Sequence, residues 1–387
     1  MVVKQVAPFV NGALGQTIGE DSLITEDLQS AGIIDAGTRI LSSATNTENF
    51  IHALTDRIGK EVFYIRKYTS ELPNVVWDKL EYGTVIQLVK YNMPDAQDTE
   101  DWQLEDGQVY EQNRFYAPSV EVKYYNDKIT FTIPYSITDL QLRSAFTDGD
   151  SLTSFVSGLY MVVENAMTKR VEILVKEVMA NLVAETVYAD YGATSIDSTS
   201  GVKAVNLLYL YNDTFGTSLT PEQAIATPDF IRYACYQLKL YNDKIGAMSV
   251  LFNIQGRTTF TPKEERELAI LANFKNSADV FLQSTTFHDE LTALPTSQTV
   301  TYWQGTGTDF SFDKVSTIDV TTSEGHSVKV TGVLAVLYDK WSCGVCNNDH
   351  RIRTHRIDVA EFTNYWDKQD LHLFNDFGQN CVVFFVA

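Results

Sequence analysis

The chain is short of positive charge. Thirty lysines and arginines stand against 50 aspartates and glutamates, giving a formal net charge of −20 over 387 residues. That balance excludes general nucleic-acid binding and adhesion to anionic membranes. Cysteine is scarce: Cys235, Cys343, Cys346 and Cys381 do not make a disulfide framework at this length, so a reducing compartment is expected. Residues 1–7 lack a charged n-region followed by an apolar h-region, so no secretory leader is read there. Nucleophile and nucleotide motifs are missing too, with no G-x-S-x-G, no H-E-x-x-H and no Walker loop. No internal repeat or low-complexity tract is visible.

Apolar residues are plentiful, at 44% with 12% aromatic, too hydrophobic for disorder. A chain of this length buries a large core and is expected to divide into two or more lobes. Its most unusual stretch is "SLTSFVSGLYMVVENAMTKRVEILVKEVMANLV", Ser151 to Val183, which has no proline and one glycine, Gly158. Leu152, Phe155, Val156, Leu159, Val163, Ala166, Met167, Leu174, Val178, Met179 and Leu182 trace the stripe of an amphipathic helix. Such a helix would be roughly 50 Å long. Glu164, Lys169, Arg170, Glu172, Lys176 and Glu177 interrupt it well short of the ~20 apolar residues of a membrane span. The a/d register does not hold for a coiled coil. The segment reads as a strut on which other elements are laid.

Residues 1–45, rich in Gly, Ala, Ser and Thr, read as an extended arm with a short helical stretch near Thr25–Ala31. In "TENFIHALTDRIGK", Thr47 is placed to cap a helix, Phe50, Ile51, Leu54 and Ile58 form one face, and Gly59 ends it. "EVFYIRKY" then alternates as a strand. "TVIQLVKY", "SVEVKYY" and "KITFTIPY" are β-branched and aromatic strands around a polar excursion. Beyond the strut, Thr220–Pro221, Thr227–Pro228 and Thr261–Pro262 mark helix starts, the last with Glu264 completing a capping box. "AMSVLF", "DVFL" and "VTGVLAVLY" read as buried strands of a compact α/β lobe. The apolar end "CVVFFVA" is expected to be pinned in a sheet.

Three clusters carry residue types suited to chemistry or charge pairing. Cys343, Cys346, His350 and His355 suit zinc by type, but the spacing lacks the roughly dozen residues a finger needs between its pairs, so no metal is expected. The excursion carries Asp95, Asp98, Glu100, Asp101, Glu105, Asp106 and Glu111, with no basic residue until Arg114. Its spacing lacks the calcium-loop order, so a solvated loop or intersubunit contact is expected. "DHRIRTHR" is the dense basic stretch, and as a strand it puts Arg351, Arg353 and His355 on one face. Pairing with acidic surface on a neighbouring copy suits it better than nucleic acid. "QGTGTDF" reads as a loop, His52, His288 and His326 as packing or surface residues, and the lone sequon at Asn212 as a weak signal. No cofactor and no catalytic residue is read.

The order of parts, with "NFIHALTDRIGKEVFYIRKY" before the excursion, "DSLTSFVSGLYMVVENAM" opening the strut and "GVLAVLYDKW" late in the lobe, resembles the major capsid proteins of tailed bacteriophages. In local text it is closest to those of small short-tailed phages of Gram-positive hosts. The resemblance implies an α+β Hong Kong 97-type capsid fold. Residues 1–60 would be the N-terminal arm and 61–135 the extended E-loop with its flanking strands. Residues 136–190 would be the P-domain with its spine helix, 191–350 the α/β A-domain, and 351–387 strands returning to the P-domain. It also implies a non-enzymatic structural protein assembled in the host cytoplasm into pentamers and hexamers of an icosahedral head around double-stranded DNA. Its partners would be further copies of itself, a separate scaffolding protein, a portal, and decoration or head-fibre proteins. Intersubunit contacts are then expected at Asp95, Asp98, Glu100, Asp101, Trp102, Glu105, Asp106, Arg351, Arg353 and Arg356. A pilus-like extracellular structural protein and an enzyme with an unrecognised site remain the other readings.

Overall fold

The computed structural model describes residues 3–17, 19, 24, 30–60, 70–77, 86–91, 106–107, 120–192, 196–197, 199–283, 297–305 and 307–387. Three helices open the chain: α1 (Val3–Thr17), α2 (Ser30–Leu41) and α3 (Ala44–Lys60). The extended arm expected over residues 1–45 is therefore largely helical. Val6, Val10, Ala13 and Leu14 form a buried helical stripe that the surrounding small residues conceal in the sequence. Small residues let these helices close in: a Cβ at Gly37 would come 2.5 Å from the Phe146 side chain. On α3 the face Phe50, Ile51, Leu54 and Ile58 is buried as expected. Thr47 does not cap; it lies in the first turn and its hydroxyl donates back to the Ser43 carbonyl at 3.0 Å. Gly59 lies inside the helix rather than ending it. "EVFYIRKY" lies outside the described residues.

Beneath α3 lies a four-stranded sheet in the order β1-β11-β12-β4, made of β1 (Val76–Trp77), β4 (Lys128–Thr138), β11 (Cys343–Ile357) and β12 (Phe362–Asn375). β11 and β12 form a long antiparallel hairpin with one bulge between Asn347 and Asp349. The hairpin turns at Asp358–Ala360 and Glu361, whose φ of 50° is left-handed. The strands expected around the excursion pair as β2 (Ile86–Tyr91) and β3 (Val120–Tyr125), antiparallel, with Val89 opposite Val122.

Thr138 and Gln141 form a full capping box for α4 (Asp139–Ala145). Asp148 then caps α5 (Gly149–Tyr191), accepting from the Ser151 N–H at 2.7 Å. At 43 residues this helix is longer than expected, about 65 Å. Its first turns bury one stripe, through Leu152, Val156, Val163 and Met167. Residues 182–187 are buried on every side, because sheets and helices close around that end. Gly192, at φ 59°, stops it.

The α/β lobe contains a five-stranded sheet in the order β5-β13-β10-β6-β7. Its strands are β5 (Ala204–Asn206), β6 (Arg266–Leu271), β7 (Gln298–Val300), β10 (Val333–Asp339) and β13 (Cys381–Phe385). Helices α6 (Leu207–Phe215), α7 (Pro221–Ala226), α8 (Pro228–Lys244) and α9 (Ala272–Gln283) flank it. Val336, Tyr338, Val383 and Phe385 join the core under α5, whereas Leu334, Leu337, Val382 and Phe384 join the core under α6 and α8. A sheet covered on both faces needs continuous apolar strands, which is why "VLAVLY" and "CVVFF" lack alternation. A small hairpin, β8 (Ile318–Thr321) and β9 (Ser327–Val330), lies against α5.

Thr220 caps α7 with a box completed by Gln223, and Pro228 starts α8, as expected. Three expectations fail here. Thr261–Pro262 starts no helix: after a 3-10 turn at Lys263–Glu265 the chain enters β6. The "LAIL" run is claimed by the space between β10 and β7, and tertiary burial overrides the capping signal. "DVFL" belongs to α9. "AMSVLF" forms no strand: it is a turn bridged from Ser249 to Thr259, with Met248, Val250 and Leu251 exposed and Phe252 buried, its carbonyl accepting from the Cys381 N–H at 2.8 Å. Two boundaries move as well. Residue 350 falls within β11, and the last strand, β13, completes the lobe sheet rather than the four-stranded one.

Candidate assembly surfaces

The hairpin β2–β3 has two unlike faces. Val89, Val120, Val122 and Tyr124 share one face and are 43%, 45%, 40% and 65% exposed. Lys90, Glu121, Lys123 and Tyr125 share the other, which rests on the subunit. There Lys90 pairs with the buried Asp376, Lys123 reaches the same carboxylate at 3.4 Å, and Glu121 pairs with Arg257 at 3.0 Å. The Tyr125 ring packs on Phe374 at 5.6 Å between centroids. Burial, and then the charge of Asp376, pushes the Tyr125 hydroxyl pKa up. Burial draws the Lys90 ammonium pKa down despite the opposing pull of Asp376.

Of the acidic tip, Asp106 is described and lies exposed in a turn. Asp95, Asp98, Glu100, Asp101, Trp102 and Glu105 lie outside the described residues. The basic strand is β11. Arg351 meets Asp370 at 2.5 Å, and Lys128 at 2.7 Å and Thr130 at 2.6 Å meet the same carboxylate. Burial by itself would push the Asp370 pKa up; these donors outweigh it and hold the pKa at about 2. Arg356 grips Asp139 at 2.7 Å and Asp358 at 2.8 Å. Both guanidiniums thus have partners within their own chain. Arg353 is exposed and, among the described residues, has no ion-pair partner.

The cysteine–histidine cluster is dispersed by its strand. Cys343 and Cys346 are both buried and fall on opposite faces of β11. Burial pushes the Cys343 thiol up to about 12. His350 faces Asp367 at 2.8 Å with both side chains buried, and His355 is exposed. Among the described residues no three His, Cys, Asp or Glu side chains group as metal ligands. His326 meets Glu185 at 3.2 Å and stacks on Tyr188, His52 is exposed, and His288 lies outside the described residues. The Asn212 side chain is used locally, accepting from the Leu219 N–H at 3.1 Å and the Thr217 hydroxyl at 2.8 Å. Gly305 and Gly307, at φ 109° and 68°, sit in a loop as expected.

Further exposed apolar patches escaped the sequence reading. Met161, Val162 and Ile173 stand out from α5, and Met248, Val250, Leu251 and Phe260 crown the lobe turn. Periodicity gave no signal for the turn, because "AMSVLF" has the composition of a buried strand. A groove of 1320 Å³ between the hairpin root, α5 and the 302–305 loop is lined by lysines and carboxylates together, among them Lys123, Lys169, Lys176, Glu172 and Glu177. It presents neither a nucleophile–base pair nor a charge of one sign. No helix of the described residues is long and apolar enough to cross a membrane.

A chain with exposed apolar faces and a firmly rooted hairpin has the character of a self-associating structural protein. The profile described as Phi29-like phage major capsid protein matches residues 12–385, and the chain belongs to that family. Its role is that of a phage major capsid protein and its place is the virion; the pilus-like and enzyme readings are not favoured. Among solved structures it is similar to the capsid structure of Staphylococcus phage Andhra, at 10% identity and TM-score 0.47, covering 80% of this chain and 82% of that one. The head fiber and inner core protein structure of bacteriophage P68 matches at 10% identity and TM-score 0.48, over 83% and 86%. The capsid structure of cyanophage P-SCSP1u matches at 13% identity and TM-score 0.45, over 80% and 85%. No curated protein matches the chain.

Proposed function

We propose that this chain tiles an icosahedral head of the Hong Kong 97 type, as pentamers and hexamers enclosing double-stranded DNA without reading its sequence. The observation that carries the reading is the hairpin β2–β3, whose root is fixed by ion pairs while its outer face, Val89, Val120, Val122 and Tyr124, is left exposed. Apolar surface of this kind marks an interaction site. A neighbouring copy is the occupant that suits a shell protein, and the exposed Met161, Val162 and Ile173 of α5 offer it a counterpart. The acidic tip at 95–106 is read as an intersubunit contact, with Arg353 as a basic partner on a neighbouring tile. The net charge of −20 suits a container for DNA, since a basic lining would hold the genome too tightly. A separate scaffolding protein, a portal, and decoration or head-fibre proteins complete the proposed set of partners. Assembly takes place in the host cytoplasm and needs no catalysis.

The test is expression of the chain with its neighbouring genes, followed by sedimentation and negative-stain microscopy. Closed shells are expected. Folded subunits that stay monomeric with every neighbouring gene present would overturn the reading.

A further inference from the structure

We infer that Asp376 is a latch that sets the angle at which the β2–β3 hairpin leaves the subunit. The inference rests on the assembly reading, since the hairpin matters to a shell only if a neighbour is to meet it.

Asp376 sits in the tight turn between β12 and β13, and its side chain is 0% exposed. Its position is fixed by the backbone: its N–H donates to the Ser342 carbonyl at 2.7 Å and its carbonyl accepts from the Gln379 N–H at 3.2 Å. Phe377 ties the same turn to the lobe, its carbonyl accepting from the Ile254 N–H at 3.1 Å. Each strand of the hairpin sends one lysine to this fixed carboxylate, Lys90 from β2 and Lys123 from β3. Two attachments, one per strand, define an orientation where one would leave a swivel. Lys123 also donates to the Gln255 side chain at 2.6 Å, and Arg257 holds Glu121. The approach is close: a Cβ at Gly378 would sit 2.5 Å from Gln255 Oε1 and 3.0 Å from Lys90 Nζ, so a side chain there would push on both groups.

The energetics favour a latch over a passive contact. Lys90 is only 10% exposed, so without its counter-charge it is a nearly buried, uncompensated cation. The least costly relief is for the hairpin to swing outward and hydrate both ammonium groups. Among the described residues, neither core cluster includes one from β2 or β3, so that motion leaves both cores intact.

The test is Asp376→Asn, which keeps the shape and the acceptor for Gly378 N–H and removes the charge. Hydrogen exchange is read on unassembled subunits. Expected is an exchange of the 86–91 and 120–125 amides faster by about tenfold, with α5 unchanged. Shells from this variant are expected to be open or misshapen. The neutral set Lys90→Gln, Lys123→Gln and Asp376→Asn restores hydrogen bonding without net charge, and hairpin protection is expected to recover. Unchanged hairpin exchange in Asp376→Asn overturns the inference. If that variant loses α5 protection as well, the decision passes to Lys90→Met and Lys123→Met. Each must loosen the hairpin alone, or the latch fails. Because exchange is measured before assembly, failure of the latch is distinct from failure of the assembly reading, which would show as no shells from the parent chain.

Discussion

Gly59 of α3 lies directly against His350 of β11: a Cβ at position 59 would come 2.7 Å from His350 Cε1 and 3.1 Å from Asp367 Oδ2. The buried His350–Asp367 pair, 2.8 Å apart, thus occupies space that a helix would ordinarily fill with a side chain.

Gly59→Ala is therefore expected to destabilise. In an open helix alanine would gain about 1 kcal/mol over glycine. Here the methyl meets two rigidly held side chains, and overpacking of this kind costs about 1–3 kcal/mol. Thermal melting should fall by a few degrees. A higher melting point would show that α3 shifts freely on the sheet.

Met167→Asp places a carboxylate at a fully buried position of α5. The cost of an unpaired buried charge is about 3–5 kcal/mol, enough to abolish assembly. Leu159, only half-buried, should tolerate aspartate better. Sedimentation of both variants checks the order, and normal shells from Met167→Asp would contradict the burial.

Val122→Asp and Tyr124→Asp change exposed residues, so subunit stability should move by no more than about 0.5 kcal/mol. Shell yield should nevertheless collapse if a neighbour covers that face. Deletion of residues 95–108 tests the acidic tip by the same logic. A folded subunit with near-normal melting and impaired closure is expected, since exposed ion pairs are individually worth only ~0–1 kcal/mol and act through repetition. Equal and strong exchange protection of 91–115 in subunit and shell would place the tip on its own subunit.

Two carboxylates give opposite pH dependences. Burial raises Asp339 to about 6 against the hydrogen bonds from Trp341 N–H and Thr261 hydroxyl, with Glu265 and Asp376 nearby adding to the rise. Its unfolded value is ~3.9, so its contribution to stability is full below that value and is lost as pH rises through about 6, amounting to about 3 kcal/mol. Asp370 is held at about 2, so its contribution is present above ~3.9 and is lost as pH falls through about 2. Melting curves between pH 2 and 8 should show both limbs. Asp339→Asn should flatten the limb that falls as pH rises from about 4 to about 6, and Asp370→Asn the one that falls as pH drops from about 4 to about 2.

The long helix, the strands flanking the excursion, the capping of α7 and the buried strand β10 were legible in the sequence because local physics specifies them. Periodicity, β-branched runs and a capping box act within a few residues. Where the signal was local but the outcome depended on neighbours, the reading failed. "LAIL" became β6 rather than a helix because β10 and β7 offered it a buried slot. "AMSVLF" became a turn that buries only Phe252 among its large apolar side chains. The C-terminal strand was expected in a sheet, but which sheet was decided by the vacancy between β5 and β10. The sites divide in the same way. Composition argues against a general nucleic-acid surface, and the local runs of charge mark the acidic and basic stretches. Only the folded chain decided that Arg351 and Arg356 serve Asp370 and Asp139, residues 19 and 217 positions away. Charge pairing at such distances depends on which strands lie side by side, and no local pattern in the sequence encodes that.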